Sequence, residues 1–194
     1  MKIEGNNQGN LLVGTAYSDE IYGYAGNDTL FGGKGGDELY GGSDHDQLFG
    51  QEGGDVLRGG SGYDTLNPGT GYDVMYGGAD GDIFQFSSTN DTKTVLPLYP
   101  YSNGSVTIYD RIVDFQDGVD GIDLSQIDAN VYASGNQAFN FIGTAAFSGT
   151  PGEVRYYQSG GNTYIEMQTG TSVDIEGAIR LDGIHTPNVT WFSL

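Results

Sequence analysis

Aspartate recurs at every ninth position through the first half of the chain: Asp19, Asp28, Asp37, Asp46, Asp55, Asp64, Asp73 and Asp82, with Asn10 one period earlier. Each ends a six-residue turn rich in glycine, such as Gly32-Gly-Lys-Gly-Gly-Asp37. Two positions further on stands an apolar residue in every copy: Leu12, Ile21, Leu30, Leu39, Leu48, Leu57, Leu66, Met75 and Phe84. A carboxylate at fixed spacing beside flexible glycines is chemistry for binding a hard cation. Glycine admits left-handed backbone angles that turn carbonyl oxygens inward, and Asp closes the shell. Zinc takes nitrogen or sulfur donors and magnesium a strict octahedron with retained water, whereas calcium accepts six or more flexible oxygens. Ca2+ fits this donor set.

The period runs without insertion from Gly5 to Gln85 as nine copies, starting at Gly5, Gly14, Gly23, Gly32, Gly41, Gly50, Gly59, Pro68 and Gly77. Each copy divides into the turn and a three-residue strand whose middle side chain alone can be buried, because neighbours along a strand point to opposite faces. A right-handed parallel β-roll satisfies this: one strand and turn make half a coil, and copies two apart stack in register at roughly 4.8 Å. Loops ending at Asn10, Asp28, Asp46, Asp64 and Asp82 then line one edge, and those ending at Asp19, Asp37, Asp55 and Asp73 the other. Carboxylates stacked at that spacing repel by on the order of 3 kcal/mol per neighbouring pair at an effective dielectric of 20. One ion in each gap removes the repulsion, which gives four gaps in the first column, three in the second and up to seven ions.

Charge and composition point the same way. With 7 Lys plus Arg against 26 Asp plus Glu, the chain carries −19, so a nucleic-acid backbone or an anionic membrane would repel it. Seven divalent ions would leave about −5 of that −19. The absence of Cys excludes disulfides, thiolate metal sites and a Cys nucleophile. No apolar stretch approaches the ~20 residues that span a bilayer, so no membrane insertion is expected. Residues 1–10 lack the basic start and apolar run of an ordinary secretory signal. A hydrophobic content of 37% is enough for a core.

Three regions are expected: the roll over 5–85, a polar, Pro-containing loop over 86–106, and a C-terminal β region over 107–194. In the last, alternating apolar segments predict short strands near 107–115, 139–142, 153–158, 163–168, 172–176 and 178–182. The best helical candidate is Leu124 to Asn130. The region reads as an antiparallel sheet packed on the end of the roll, capping it as solenoid ends require.

The nonapeptide resembles the RTX calcium-binding repeat closely over residues 14–85. What that resemblance implies is a ligand set in which carbonyls at the first and third positions of one loop and the second and fourth of its stacked neighbour join two Asp side chains. Pro68 departs from the pattern in place of the opening Gly, and Tyr17, Asp44 and Asp80 in place of the fourth. Asn10 has no charge, so the gap between Asn10 and Asp28 should be the weakest or empty.

A second resemblance covers the other half. The runs Asp110-Arg-Ile-Val-Asp-Phe-Gln-Asp-Gly-Val-Asp-Gly-Ile-Asp-Leu-Ser125, Phe141-Ile-Gly-Thr-Ala-Ala-Phe-Ser-Gly149 and Gly152-Glu-Val-Arg-Tyr156 resemble the C-terminal module of serralysin-type secreted metalloproteases. They are also similar to the R-modules of secreted mannuronan C5-epimerases, with counterparts for Asn90-Asp-Thr-Lys-Thr94 and Leu181-Asp-Gly183. Both families imply a non-catalytic accessory module of an extracellular protein, delivered by the one-step type I exporter. Thr190-Trp-Phe-Ser-Leu194 has the apolar part of such an export signal but lacks its acidic residue.

Enzyme chemistry is not indicated. His45 and His185 read as isolated, and no His-Glu-x-x-His zinc motif, Gly-x-Ser-x-Gly elbow or phosphate loop occurs. Asp110, Asp114, Asp117, Asp120 and Asp123 make either a further calcium site or a turn, the turn being favoured. Ninth positions hold Tyr22, Tyr40, Arg58 and Tyr76 on one face, with Phe31 and Phe49 on the other. Such a row either offers planar rings and a cation to a uronate polysaccharide such as alginate, or merely stabilises adjacent strands; the strand role carries more weight. The chain is expected to act as a calcium-binding monomer.

Overall fold

A computed structural model describes residues 1–88, 93–97, 105–130, 132–170 and 177–194. Ten strands run through the repeats: β1 (Lys2–Asn6), β2 (Leu11–Val13), β3 (Glu20–Ala25), β4 (Thr29–Lys34), β5 (Glu38–Ser43), β6 (Gln47–Gly53), β7 (Val56–Ser61), β8 (Thr65–Gly71), β9 (Val74–Ala79) and β10 (Ile83–Gln85). Odd strands stack in parallel in one sheet and even strands in the other, each displaced by two copies from its neighbour. The chain is therefore a parallel β-roll, as the nine-residue period predicts. Its interior is two facing columns. Ile21, Leu39, Leu57 and Met75 are in register in one sheet, and Leu30, Leu48, Leu66 and Phe84 in the other; all eight are fully buried.

The strands exceed the three residues read from the pattern. In β4 the ladder continues past Phe31 into the glycine turn, pairing Gly33 with Gln51 and Lys34 with Glu52. Loops of equal length stack with the same register as the strands, so their amides go on pairing from coil to coil instead of facing water.

Parallel stacking also continues past Gln85. β11 (Lys93–Pro97), within the stretch read as a loop, lies antiparallel on β12 (Ser105–Ile112); residues 89–92 and 98–104 of that stretch lie outside the described residues. Asn90-Asp-Thr-Lys-Thr94 falls mostly there. The far end of β12 lies parallel on β9, pairing Ile112 with Met75, and β13 (Gly121–Asp123) lies on β10, pairing Ile122 with Phe84. β14 (Asn140–Phe141), β15 (Glu153–Ser159), β16 (Asn162–Gln168) and β17 (Gly177–Asp182) complete the first sheet. β15, β16 and β17 form the expected antiparallel meander, but β17 joins β12 in parallel, setting Leu181 on Ile112. β18 (Phe192–Ser193) sets Phe192 on Ile122. Both apolar columns thus run on past the repeats, to Leu181 in one sheet and Phe192 in the other. The expected strand at 172–176 lies outside the described residues.

No helix forms at Leu124 to Asn130, which is a succession of turns. Asp123 and Asp128 accept backbone N–H groups two residues on, from Ser125 (2.9 Å) and Asn130 (3.1 Å), and these local bonds compete with helical ones. Among the described residues, no helix is long and apolar enough to cross a membrane.

Truncating one rung of the column tests its contribution. Leu48→Ala, in a side chain of 0% exposure flanked by Leu30 and Leu66, should cost about 2–5 kcal/mol. Denaturant unfolding in saturating calcium would measure it, and a cost below about 1 kcal/mol would mean that the site collapses without loss.

Candidate metal centre: the aspartate ladders

Each aspartate turn is shaped by its second and fourth residues. From the loop 23–28 onward these adopt left-handed φ in every copy, from Tyr24 (82°) and Gly26 (91°) to Gly78 (110°) and Asp80 (74°). Gly is the ordinary occupant; Asp44 and Asp80 tolerate the region, while Tyr24 and Gln51 are held there by the loops above and below. In the loop 14–19, Thr15 and Tyr17 occupy these positions and do not adopt it.

The carboxylates form two ladders. Each terminal residue donates its N–H to the Oδ1 of the aspartate one coil on, for example Asp28 to Asp46 and Asp37 to Asp55, both at 2.8 Å. All eight repeat aspartates are at most 3% exposed. The second oxygen is different: Oδ2 of Asp28, Asp37, Asp46, Asp55, Asp64 and Asp82 is buried without a hydrogen-bond partner. It lies against the α-carbon of the first-position glycine, where a Cβ on Gly41 would meet Asp46 Oδ2 at 2.4 Å and the Gly59 carbonyl of the next coil at 2.7 Å. At Gly50 the Pro68 carbonyl takes that second place, so the proline keeps the carbonyl donor.

A buried carboxylate oxygen with no donor costs several kcal/mol unless a cation meets it. Among the described residues no three His, Asp or Glu side chains converge on one point, so the carboxylates at each gap need carbonyl oxygens to complete a shell. That all-oxygen set fits calcium. Without metal, burial pushes the Asp46, Asp55 and Asp82 carboxyls up to about 7, with neighbouring carboxylates adding to it.

The ends of the ladders differ from their middles. Asn10 donates its N–H to Asp28 Oδ1 at 2.7 Å, but its own Oδ1 accepts the Asn6 N–H at 2.7 Å and is neutral. Asp19 donates to Asp37 at 2.8 Å, yet its Oδ2 is taken by the Thr15 N–H and hydroxyl at 2.6 and 2.8 Å. The Met1 ammonium, first, and Thr15 hold its carboxyl below the usual carboxylate range.

Two ladder members lie outside the nine-residue period. Asp110 accepts the Asp73 N–H and Asp120 the Asp82 N–H, both at 2.9 Å, although the sequence separation has jumped to 37 and 38. Their signal was the aspartate two residues before a core position, Asp110-Arg-Ile112 and Asp120-Gly-Ile122. Of the other three acids, Asp114 accepts the Gly77 and Gly78 N–H groups, Asp117 contacts His185 and Asp123 holds its turn. In register terms the ladders end at Ile179, beside Asp110, and at Thr190, beside Asp120, neither of which carries a charge.

The histidines are structural contacts, and neither is isolated. His45 Nδ1 accepts the Tyr63 N–H at 2.8 Å, tying two stacked loops. His185 lies against the edges of Phe115 and Trp191 with Nδ1 2.5 Å from Asp117 Oδ1. On the outer face, Tyr22 and Tyr40 stack at 4.5 Å and Arg58 lies between Tyr40 and Tyr76. Those ring faces close on one another, and the Tyr40 hydroxyl donates to Glu38 Oε2 at 2.5 Å.

The geometry defines a parallel β-roll whose loops present stacked, buried carboxylates. Residues 4–39, 31–66 and 69–92 match the family described as RTX calcium-binding nonapeptide repeat (4 copies). The repeat half of the chain is built of RTX calcium-binding nonapeptide repeats. Among solved structures the chain is similar to the AlgE6R3 subunit of the Azotobacter vinelandii mannuronan C5-epimerase, at 24% identity over 97% of this chain and 79% of that one, with a TM-score of 0.38. It is also similar to the AlgE6R2 subunit of the same epimerase, at 22% identity over 100% and 92%, with a TM-score of 0.42. No curated protein matches it.

Raised carboxyl pKa values set the sign of a pH effect. A carboxyl that titrates near 7 when folded and near ~3.9 when unfolded binds protons more tightly in the fold, so it favours folding at acid pH and less so as the pH rises through 7. In chelator, strand circular dichroism should therefore grow as the pH falls from about 7 toward about 4. Strand signal that shrinks as the pH falls over that window would contradict the buried, uncompensated carboxylates.

Proposed function

We propose that the chain is a calcium-dependent folding module, non-catalytic in itself, that serves as an accessory part of a secreted enzyme. In the calcium-poor cytoplasm the two carboxylate ladders repel and the roll stays open, which suits passage through a type I exporter. Outside, where calcium is millimolar, ions enter the gaps and the roll closes, so metal-binding energy becomes folding energy. The observation that carries this reading is the row of buried Oδ2 atoms without donors at Asp28, Asp37, Asp46, Asp55, Asp64 and Asp82. Asp19 and Asp73 complete the proposed ligands of the repeats, and the gap at Asn10 binds most weakly. Serralysin-like and epimerase-like segments in the second half support the accessory and export roles.

Calcium titration followed by circular dichroism tests it. Strand signal should be small in chelator at neutral pH and grow cooperatively with calcium, and Asp55→Asn should move the midpoint to higher calcium. Complete strand signal in chelator would dismiss the proposal.

A second reading places an anionic polysaccharide along Tyr22, Tyr40, Arg58 and Tyr76. It is favoured by one observation: among the described residues, Lys2, Lys34, Arg111, Arg155 and Arg180 each pair with a carboxylate, whereas Arg58 lies against the Tyr40 and Tyr76 rings. Because the ring faces are closed, contact would run through tyrosine edges and the Arg58 guanidinium. Calorimetry with oligouronates in saturating calcium should show binding that Arg58→Ala weakens by about tenfold, the scale of one charge-assisted hydrogen bond. No heat from the unaltered chain would exclude the reading.

A further inference from the structure

We propose that a metal site outside the repeats locks the C-terminal part of the chain onto the roll: a divalent cation, calcium by its oxygen donors, between the loops 77–82 and 114–120, held by Asp82 and Asp120. This deepens the calcium reading and rests on it.

The second loop belongs to no repeat. It follows the matched segments, is one residue longer than a repeat turn, and reads Asp-Phe-Gln-Asp-Gly-Val-Asp. It nevertheless stacks as a repeat turn does. Asp120 Oδ1 accepts the Asp82 N–H at 2.9 Å, in the geometry that joins Asp28 to Asp46. At the other end Asp114 takes the N–H groups of Gly77 and Gly78 at 2.9 and 3.1 Å, and Gln116 Nε2 donates to the Gly78 carbonyl at 2.7 Å. The extra residue is absorbed with both ends in register.

Asp82 supplies the independent sign of a ligand. Its side chain is 1% exposed, and Oδ2 is buried with no donor, so close to the Gly77 α-carbon that a Cβ there would lie 2.3 Å away. Asp120 and Asp114 bring further negative charge onto it. Asp120 Oδ2 accepts one N–H, from Gln116 at 2.8 Å, and a carboxylate oxygen has a lone pair left beyond one such bond. The next residue in this register is Thr190, whose N–H and hydroxyl both turn to Asn188, so nothing in the column beyond supplies a counter-charge.

The consequence follows from what else the loop holds. Phe115 packs on Trp191 at 5.0 Å between centroids, and Asp117 meets His185. Asp82, Asp120 and Trp191 line one cavity of about 400 Å³. An ion that fixes the loop 114–120 therefore fixes the segment carrying His185 and Trp191 as well, which makes the order of the C-terminal residues calcium-dependent.

Trp191 is the single tryptophan and lines the same cavity as Asp82 and Asp120, so it reports on this end of the ladder. Terbium(III) is the probe, with emission sensitised by excitation selective for tryptophan and calcium as competitor. The full chain should give sensitised emission that calcium displaces; Asp120→Asn should lose it while keeping strand circular dichroism in saturating calcium, and Glu52→Gln, an exposed carboxylate outside the ladders, should retain it. Undiminished emission from Asp120→Asn overturns the inference. So does the absence of emission from the unaltered chain at terbium levels that restore its strand signal, a result that leaves the repeat sites standing. A chain whose circular dichroism answers to no metal removes both readings.

Discussion

Repulsion between carboxylates that the fold stacks and buries is the constraint on which everything else depends. The strand spacing brings successive aspartates of a ladder within roughly 4.8 Å, inside a wall that water does not reach. One oxygen of each is satisfied by the amide of the preceding coil, so the aspartate cannot turn away to solvent without breaking the stack. The other oxygen is left for a cation. In the proposed calcium-dependent module, the same bond that sets the register creates the need for metal, and coil stacking and ion binding become one equilibrium.

The hydrophobic columns bear on the share that the proposal gives to metal. Each half-coil orders nine residues and buries a single apolar side chain, a poor return against backbone entropy. Glycine makes this worse, since it loses the most freedom on folding. It is retained because the loops need left-handed φ at alternate positions and because a Cβ at the first position would occupy the space beside Oδ2. The residue that weakens the unliganded roll is the one that shapes its sites.

Much of this was legible in the chain. The period fixed the parallel stacking, the buried columns and the ladder membership of Asp28 to Asp82, because a rigid repeat converts sequence spacing directly into register. Reading stopped where spacing did. Asp110 and Asp120 lie 37 and 38 residues from their partners, so no fixed period finds them, although each keeps the apolar residue two places on. Thr15 is silent in the pattern for another reason: its hydroxyl fills the oxygen of Asp19 that later coils leave open, a contact that spacing does not reveal. The tyrosine row was found, but its face-to-face closure depends on side-chain orientation, which the pattern does not encode. Leu124 to Asn130 shows apolar periodicity losing to aspartate turns.

The most direct measurement is anomalous diffraction from crystals grown in calcium, which locates the ions themselves. Peaks should lie between consecutive ladder aspartates, including the gaps Asp37 to Asp55 and Asp46 to Asp64 in the middle of each column. Ordered loops with no anomalous density in those two gaps, at saturating calcium, would contradict the account.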